Sequence, residues 1–241
     1  MQQIQFNSGV VKPVECFREG WELIKDQYWL FFAITAVGFI IASVIPFCIV
    51  LGAMMCGIYY PLIEKEEGRT VEFGQLFKGF EKFMPSLIAT LPWAIPLQIG
   101  IIVAYIPLIA AQAMLESKMA KPETIFTILA FSMGGLALVM IIWIFIHPFL
   151  MFIYQILIEH EVTGWEALKL SFKSVWANLG GVVGLLVLNV VAYSVGALFC
   201  GIGAYFVLPL IFANTLVAYR KVFPKVKKEF STPPPPNAFN L

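Results

Sequence analysis

The chain has 241 residues, of which 60% are hydrophobic and only 13% are charged, and 22 are phenylalanine. This composition, with several charge-free runs longer than the roughly 18 residues of a spanning helix, excludes a soluble globular domain and predicts an integral membrane protein. A formal net charge of +1 gives no reason to expect a nucleic-acid partner, and the positions of the basic residues matter more than their sum.

A surface helix is the first predicted element. Residues 1–12 form a polar N-terminal segment without the pattern of a removable signal peptide, and residues 13–27 follow as a helix with one apolar face. That face consists of Val14, Phe17, Trp21 and Ile24. Because this helix is too polar to span a bilayer, we expect it to lie at the membrane surface, with Trp21 and Trp29 at the level of the headgroups.

The next stretch is too long to be one span. From Leu30 to Ile63 the chain carries no charge, and a straight helix of that length would measure about 51 Å against a bilayer core of about 30 Å. Pro46 lies near the middle of the run and disfavours a helix through the residue before it. We therefore predict two short spans, residues 29–45 and 47–63, joined by a turn near Pro46.

The same order of elements recurs twice more. A second surface helix is predicted over residues 71–83 and a third over 164–176, where Thr163 and Glu166 have the spacing of a capping box. Apolar sequence predicts four further spans, over residues 85–113, 125–158, 177–198 and 204–219. Prolines are expected to kink or shorten the first of these four, and residues 221–241 form a basic, proline-rich tail.

The distribution of lysine and arginine decides between six and four spans in a membrane domain of residues 13–220. With six spans and both ends inside, 14 basic residues fall on the inner side and two on the outer, whereas four spans give 10 and six. Basic residues concentrate on the cytoplasmic side, so six spans with both termini cytoplasmic are favoured. The predicted fold is an all-α membrane protein made of three repeats, each a surface helix followed by two spans.

Short similarities between the units support the repeat. A small residue precedes an aromatic residue in each surface helix: Gly20-Trp21, Gly79-Phe80 and Ser171-Phe172. The segments 58–59 and 63–66 also match 153–154 and 158–161 at a constant offset of 95 residues.

The surface helices also carry a resemblance to a known group. The motifs are Phe17-x-x-Gly20-Trp21, Phe73-x-x-Leu76-Phe77-x-Gly79-Phe80 and Trp165-Glu166-Ala167-Leu168-x-x-Ser171-Phe172. With them the chain resembles a broad, poorly characterised group of bacterial inner-membrane proteins, including the membrane domain fused to some glycerophosphodiester phosphodiesterases. The resemblance implies a helical fold in the bacterial inner (cytoplasmic) membrane. It implies no established activity, since the chain contains no catalytic phosphodiesterase part.

The predicted spans contain no Asp, Glu, Lys or Arg, and His147 is their one histidine. With four amides it forms a candidate intramembrane polar site: His147, Gln98, Gln155, Asn189 and Asn214. Hydrogen bonding between helices explains such residues, and a proton or substrate path is the alternative. No metal-binding cysteine spacing, nucleophile elbow or phosphate loop occurs, so no catalytic residue, metal, cofactor or enzyme activity is predicted.

Surface residues provide the remaining hypotheses. The acidic loops 64–67 and 159–161 would allow a cation site if they met, although such residues are more often solvated. Contacts with the lipid surface are predicted for Trp21, Trp29, Trp165, Trp176, Lys225, Lys227 and Lys228.

The first functional hypothesis is a non-enzymatic scaffold or accessory subunit that engages lipid or protein partners through its surface helices and tail. The alternative is a permease-like transporter of a neutral or amphipathic small molecule.

Overall fold

A computed structural model describes residues 4–45, 48–116, 121–199 and 201–225. Within these ranges the prediction of an all-α protein is confirmed. The α-helices are α1 Pro13–Ile24, α2 Tyr28–Val44, α3 Leu51–Glu66, α4 Phe83–Glu116, α5 Pro122–Ile146, α6 Ile153–Glu159, α7 Gly164–Trp176, α8 Leu179–Ala197 and α9 Ile202–Val222. Tighter 3-10 segments cover Lys25–Gln27, Phe73–Lys82 and His147–Leu150. The predictions for Pro46, Lys227, Lys228 and the proline-rich run lie outside the described residues.

Within the described residues, five helical stretches are long and apolar enough to cross a membrane, as a multi-pass membrane protein requires. They are Pro13–Val44, Phe73–Leu115, Pro122–Glu159, Leu179–Ala197 and Ile202–Val222. The helix α3 is not among them, because its 16 residues extend only about 24 Å. It is nevertheless enclosed by its neighbours, packing on α2, α4, α6, α9 and the Phe73–Lys82 helix, and most of its residues are buried.

Each predicted surface helix buries its small residue against a neighbouring helical segment. A Cβ atom added at Gly20 would lie 2.7 Å from the backbone nitrogen of Asn214 in α9, and one added at Gly79 would lie 2.0 Å from the carbonyl oxygen of Ala53 in α3. Ser171 of α7 is also fully buried, and its hydroxyl donates to the carbonyl of Phe149 at 2.7 Å. The small side chains thus let the backbones approach closely, while the aromatic residue that follows each one is exposed.

The ends of the surface helices follow from local sequence. At α7 the capping box is confirmed, since the amide of Glu166 donates to the Thr163 hydroxyl at 3.3 Å and its carboxylate accepts from the Thr163 amide at 2.9 Å. The second surface helix is wound more tightly than predicted. With three residues per turn, Leu76 and Gly79 share one face of the Phe73–Lys82 helix, and both are buried.

Prolines have different effects in the two middle spans. The helix α4 continues for 34 residues with three internal prolines, about 51 Å, whereas the predicted span 125–158 is divided at His147-Pro148. A polar side chain from another helix satisfies the backbone at this division. Ser171 donates to one of its carbonyls and accepts from the amide of Phe152 at 3.3 Å. The turn is therefore stabilised by a contact with α7.

The N-terminal segment packs on the helices, which the sequence did not predict. The side chain of Asn178, between α7 and α8, accepts from the amide of Val10 at 3.0 Å and donates to the carbonyl of Asn7 at 2.8 Å. The amide of Asn7 in turn donates to the carbonyl of Val222 at 2.8 Å. Residues 4–11 thus link the start of α8 to the end of α9.

Candidate functional site

A cavity of about 450 Å³ lies at the centre of the helices. Its walls come from α2, α3, α4, α5, α6, α8, α9 and the turn after α5. The described residues that line it include no Asp, Glu, Lys or Arg and are largely aromatic and aliphatic, with hydroxyl, amide and imidazole groups among them. Both the volume and this mixture are typical of pockets that hold small organic molecules.

Three hydroxyl-bearing residues of the lining, Tyr59, Tyr154 and Thr215, form the part of the cavity wall that we call the floor. Tyr154 shares a hydrogen bond with the hydroxyl of Thr90 at 3.1 Å. The amide of Gln155, oriented with its oxygen toward Tyr59, accepts from that phenol at 3.2 Å and donates to two backbone carbonyls. The floor is thus held in place by side chains behind it.

The predicted polar residues divide into three groups. His147 and Asn189 line the cavity itself. Asn214 and Gln155 lie directly behind the lining, and Asn214 donates to the Asn189 side-chain oxygen at 2.7 Å. Gln98 belongs elsewhere, because its amide donates to the sulfur of Cys48 at 3.1 Å. The structure therefore brings together four of the five predicted residues.

Aromatic residues form one wall of the cavity. The rings of Trp93 and Trp143 have centroids 5.2 Å apart, and the imidazole of His147 follows Trp143 at 5.1 Å. The indole nitrogen of Trp93 is buried and has no hydrogen-bond partner among the described residues. Sequence reasoning missed both tryptophans. It noted Tyr59 and Tyr154 only as repeat positions, although their matched places in two repeats could have marked them as facing a shared centre.

A cluster of charged residues lies beyond the floor, at the C-terminal ends of α3, α6 and α9. The guanidinium of Arg220 donates to both carboxylate oxygens of Glu159, one at 2.8 Å, and to Glu66 at 2.8 Å. The hydroxyl of Tyr219 donates to Glu159 at 2.9 Å. The two acidic loops therefore meet, and the cation between them is the side chain of Arg220.

Further charges surround this cluster. Lys225, predicted to contact lipid, lies 3.0 Å from the carboxylate of Glu67. Burial alone would raise the pKa of Glu67, but the hydrogen bond and charge of Lys225 outweigh it and leave that pKa lowered. Burial lowers the pKa of His160, with the charge of Glu159 opposing the shift and that of Arg220 adding to it. Neutral His160 thus adjoins the ion pairs.

A second cavity, of about 440 Å³, lies beside the charged cluster. Its walls include Glu66 and Arg220 together with Leu216 and Val217 of α9. The neighbouring residue of α9, Thr215, belongs to the floor of the central cavity. A single turn of α9 therefore lies between the two cavities.

The four tryptophans predicted at the lipid surface are all exposed: Trp21, Trp29, Trp165 and Trp176. Trp29 packs edge-on against Phe206, and Trp176 stacks on Phe172. Lys169 lies over the ring of Trp165. Their exposure fits an interfacial position, and their contact with lipid stays a prediction.

In comparisons with known proteins, no family, no curated protein and no solved structure matches this chain.

Proposed function

We propose that the protein is a permease-like membrane protein that holds a small uncharged molecule in its central cavity. The cavity itself carries this proposal, because it is enclosed by nearly all the membrane helices and contains the predicted residues His147 and Asn189. A cavity of this size without charged walls suits an organic molecule that needs only a few hydrogen bonds. The amide side chains of Gln155, Asn189 and Asn214 were expected to pair between helices. In this proposal they also hold the lining residues of the cavity in position.

Filling the cavity tests this function. Leu186 lines the cavity, whereas its neighbour Val187 is exposed on the outside of α8. Wild-type protein purified in nanodiscs and then denatured is expected to release a stoichiometric small molecule, measured by mass spectrometry. Leu186→Trp should reduce that amount at least about tenfold, which corresponds to about 1.4 kcal/mol of lost binding. The matched variant Val187→Trp should retain it. Equal amounts in both variants, or none in the wild type, would contradict the proposal.

We further propose the finer architecture of six spans in three repeats. In its support, each surface helix packs on the last helix of another unit: α1 on α9, the Phe73–Lys82 helix on α3, and α7 on α6. The contacts also correspond. Gly79 approaches Gly57, and Ser171 bonds to Phe152, which lies 95 residues beyond Gly57. The three units would then close into a ring around the cavity.

The orientation is proposed from the charge distribution, with both termini cytoplasmic in a bacterial inner membrane, as the resemblance implies. Lys78 and Lys121 are both exposed and lie on opposite sides in this topology. A cysteine replacing Lys121 should react with an impermeant thiol reagent applied outside intact cells, and one replacing Lys78 should react only after permeabilisation. Labelling of Lys78→Cys from outside would exclude the proposed orientation.

A scaffold or accessory subunit is the second candidate function, and the α4–α5 hairpin favours it. The helix α5 packs mainly on α4, with Gly135 against Ala104. Large apolar side chains such as Ile109 and Phe131 remain exposed around the hairpin. Lipid or an apolar partner protein would cover them. The scaffold function would be favoured by a protein that co-purifies in stoichiometric amount and is lost when the exposed apolar side chains of this hairpin are replaced. The cavity of the purified protein would then release no small molecule.

A further inference from the structure

We propose that the central cavity receives an uncharged amphiphile dissolved in the membrane, which enters sideways between α5 and α8 and places its polar head at the floor. This inference rests on the proposed function and adds to it the class of ligand, its direction of entry and its orientation.

The position of the opening follows from exposure and packing. Among the residues that line the cavity, His147, Val190 and Tyr193 are exposed. His147 lies at the end of α5, and the other two lie on α8. The helix α5 packs mainly on α4, whereas α8 packs mainly on α9 and α1. The side of the cavity between α5 and α8 is therefore its least covered side.

Among the described residues, the rim of this opening carries no charged side chain, and His147 and Tyr193 are its polar members. On α5, Ile142 and Phe145 are exposed, and on α8 Val190 is exposed. The sequence of α8 contains no charged residue, and α5 contains none after Glu123. In a membrane-spanning pair of helices such a surface faces hydrocarbon. A ligand that passes this rim therefore comes from the lipid.

Two of the lining helices, α3 and α9, become polar toward the charged cluster, whereas Asn189 and Tyr193 of α8 lie farther from it. The helix α3 contributes Leu51, Met55 and Tyr59, so that its lining changes from apolar to polar toward the charged cluster. In α9 the order runs the same way, since Thr215 follows Ile211 in that direction. A ligand with a polar head and an apolar body fits the gradient of α3 and α9 in one orientation, with its head at the floor.

The ligand must be uncharged, and an acceptor that it places beside the aromatic wall would pair with Trp93. None of the lining residues in the described part of the chain is Asp, Glu, Lys or Arg, so an ionised head would be buried there without a counter-charge. The buried indole nitrogen of Trp93 is a donor without a partner among the described residues, and such groups are normally satisfied. A hydroxyl, ester or ketone oxygen would satisfy it, which points to neutral single-chain lipids and related alcohols or carbonyl compounds.

On the side of the charged cluster, α9 separates the second cavity from the floor. Beneath the floor lie fully or almost fully buried apolar side chains, including Leu62, Leu157 and Leu216. Beyond them, Arg220 joins Glu159 and Glu66. The lateral opening is thus the less obstructed route to the cavity.

Photolabelling in vesicles tests the proposal. The probes are a monoacylglycerol with a diazirine in its acyl chain and the same chain carrying a phosphocholine head, both in phosphatidylcholine vesicles that contain the full-length protein. We expect the neutral probe to label the walls of the cavity, identified by peptide mass spectrometry, at least about tenfold more than the charged one. Equal labelling of the cavity by both probes would overturn the ligand class.

A matched pair of variants tests the route. Val190→Trp should slow cavity labelling at least about fivefold, because residue 190 lines the opening, whereas Val191→Trp on the adjacent outer surface should stay within about twofold of wild type. Tyr193→Ala widens the same opening and should speed labelling. Equal rates in Val190→Trp, Val191→Trp and Tyr193→Ala would overturn lateral entry.

The two proposals fail in different ways. If the wild type releases a bound molecule that Leu186→Trp loses, but neither probe labels the cavity, the permease-like function stands and the neutral-amphiphile inference is wrong. If the wild type releases no molecule and neither probe labels the cavity, both are wrong.

Discussion

Arg220→Leu is expected to lower the free energy of unfolding by about 3 kcal/mol. The Arg220 side chain is 15% exposed and bridges carboxylates that are 18% and 24% exposed, Glu159 and Glu66. Without the guanidinium, these two like charges would face each other in a poorly solvated site, and the ends of α3, α6 and α9 would lose their common partner. Denaturant titration of the protein in mixed micelles, followed by helical circular dichroism, measures the change.

Two further substitutions show whether geometry or charge produces this effect. Arg220→Lys keeps the charge but loses the planar, bidentate contact with Glu159, so an intermediate loss is expected. Lys225→Gln removes a pair with Glu67 in which the lysine side chain is 40% exposed, and it should cost less than about 1 kcal/mol. If Arg220→Leu were no more harmful than Lys225→Gln, the cluster would not hold the helix ends together.

Gly79→Ala is the second substitution with a large expected effect, a loss of about 3 kcal/mol or failure to fold. The added Cβ would lie 2.0 Å from the carbonyl oxygen of Ala53 and 2.5 Å from the backbone nitrogen of Gly57. Both are backbone atoms of α3, so no side-chain rotation relieves the clash. The Phe73–Lys82 helix would have to move away from α3.

Gly74→Ala is the matched control, because it makes the same chemical change in the same helix with nothing within 4 Å of the added carbon. It should leave stability within about 1 kcal/mol of wild type. Monodisperse yield after size-exclusion chromatography and the midpoint of thermal unfolding compare the two variants. A Gly79→Ala protein as stable as Gly74→Ala would show that this close contact is unimportant.

Local sequence indicated the helical segments near residues 13–27, 71–83 and 164–176, and their position at the membrane surface stays a prediction. The capping box at Thr163 and Glu166 uses residues three apart, so its geometry follows from the helix it begins. The small residues Gly20, Gly79 and Ser171 were noted only as a repeated pattern, and the structure explains them as points of close backbone approach.

Prolines were a weaker guide. Pro148 coincides with the end of a helix, while Pro92, Pro96 and Pro107 lie inside the continuous α4. At Pro148 the interrupted backbone is satisfied by the side chain of Ser171. This residue bonds to Phe152 and Phe149, which lie 19 and 22 residues away in the sequence. Neighbouring segments that satisfy the backbone decide whether a membrane helix tolerates a proline.

The candidate site depended on long-range contacts. The absence of charged residues from the predicted spans had favoured a scaffold over a transporter. The same absence, within an enclosed cavity, now favours an uncharged ligand. Trp93 and Trp143 gave no signal in the sequence, since aromatic residues are common throughout this chain and only their shared wall distinguishes them.

By itself, the sequence determined that the chain is helical and embedded in a membrane, because the length of charge-free runs depends only on neighbouring residues. The tertiary structure alone decided that Asn189 and His147 face a common cavity and that Arg220 joins Glu66 to Glu159, across 154 and 61 residues. The physical reason is that a membrane helix is apolar on every side. Its sequence therefore does not show which face meets which neighbour, and packing makes that choice.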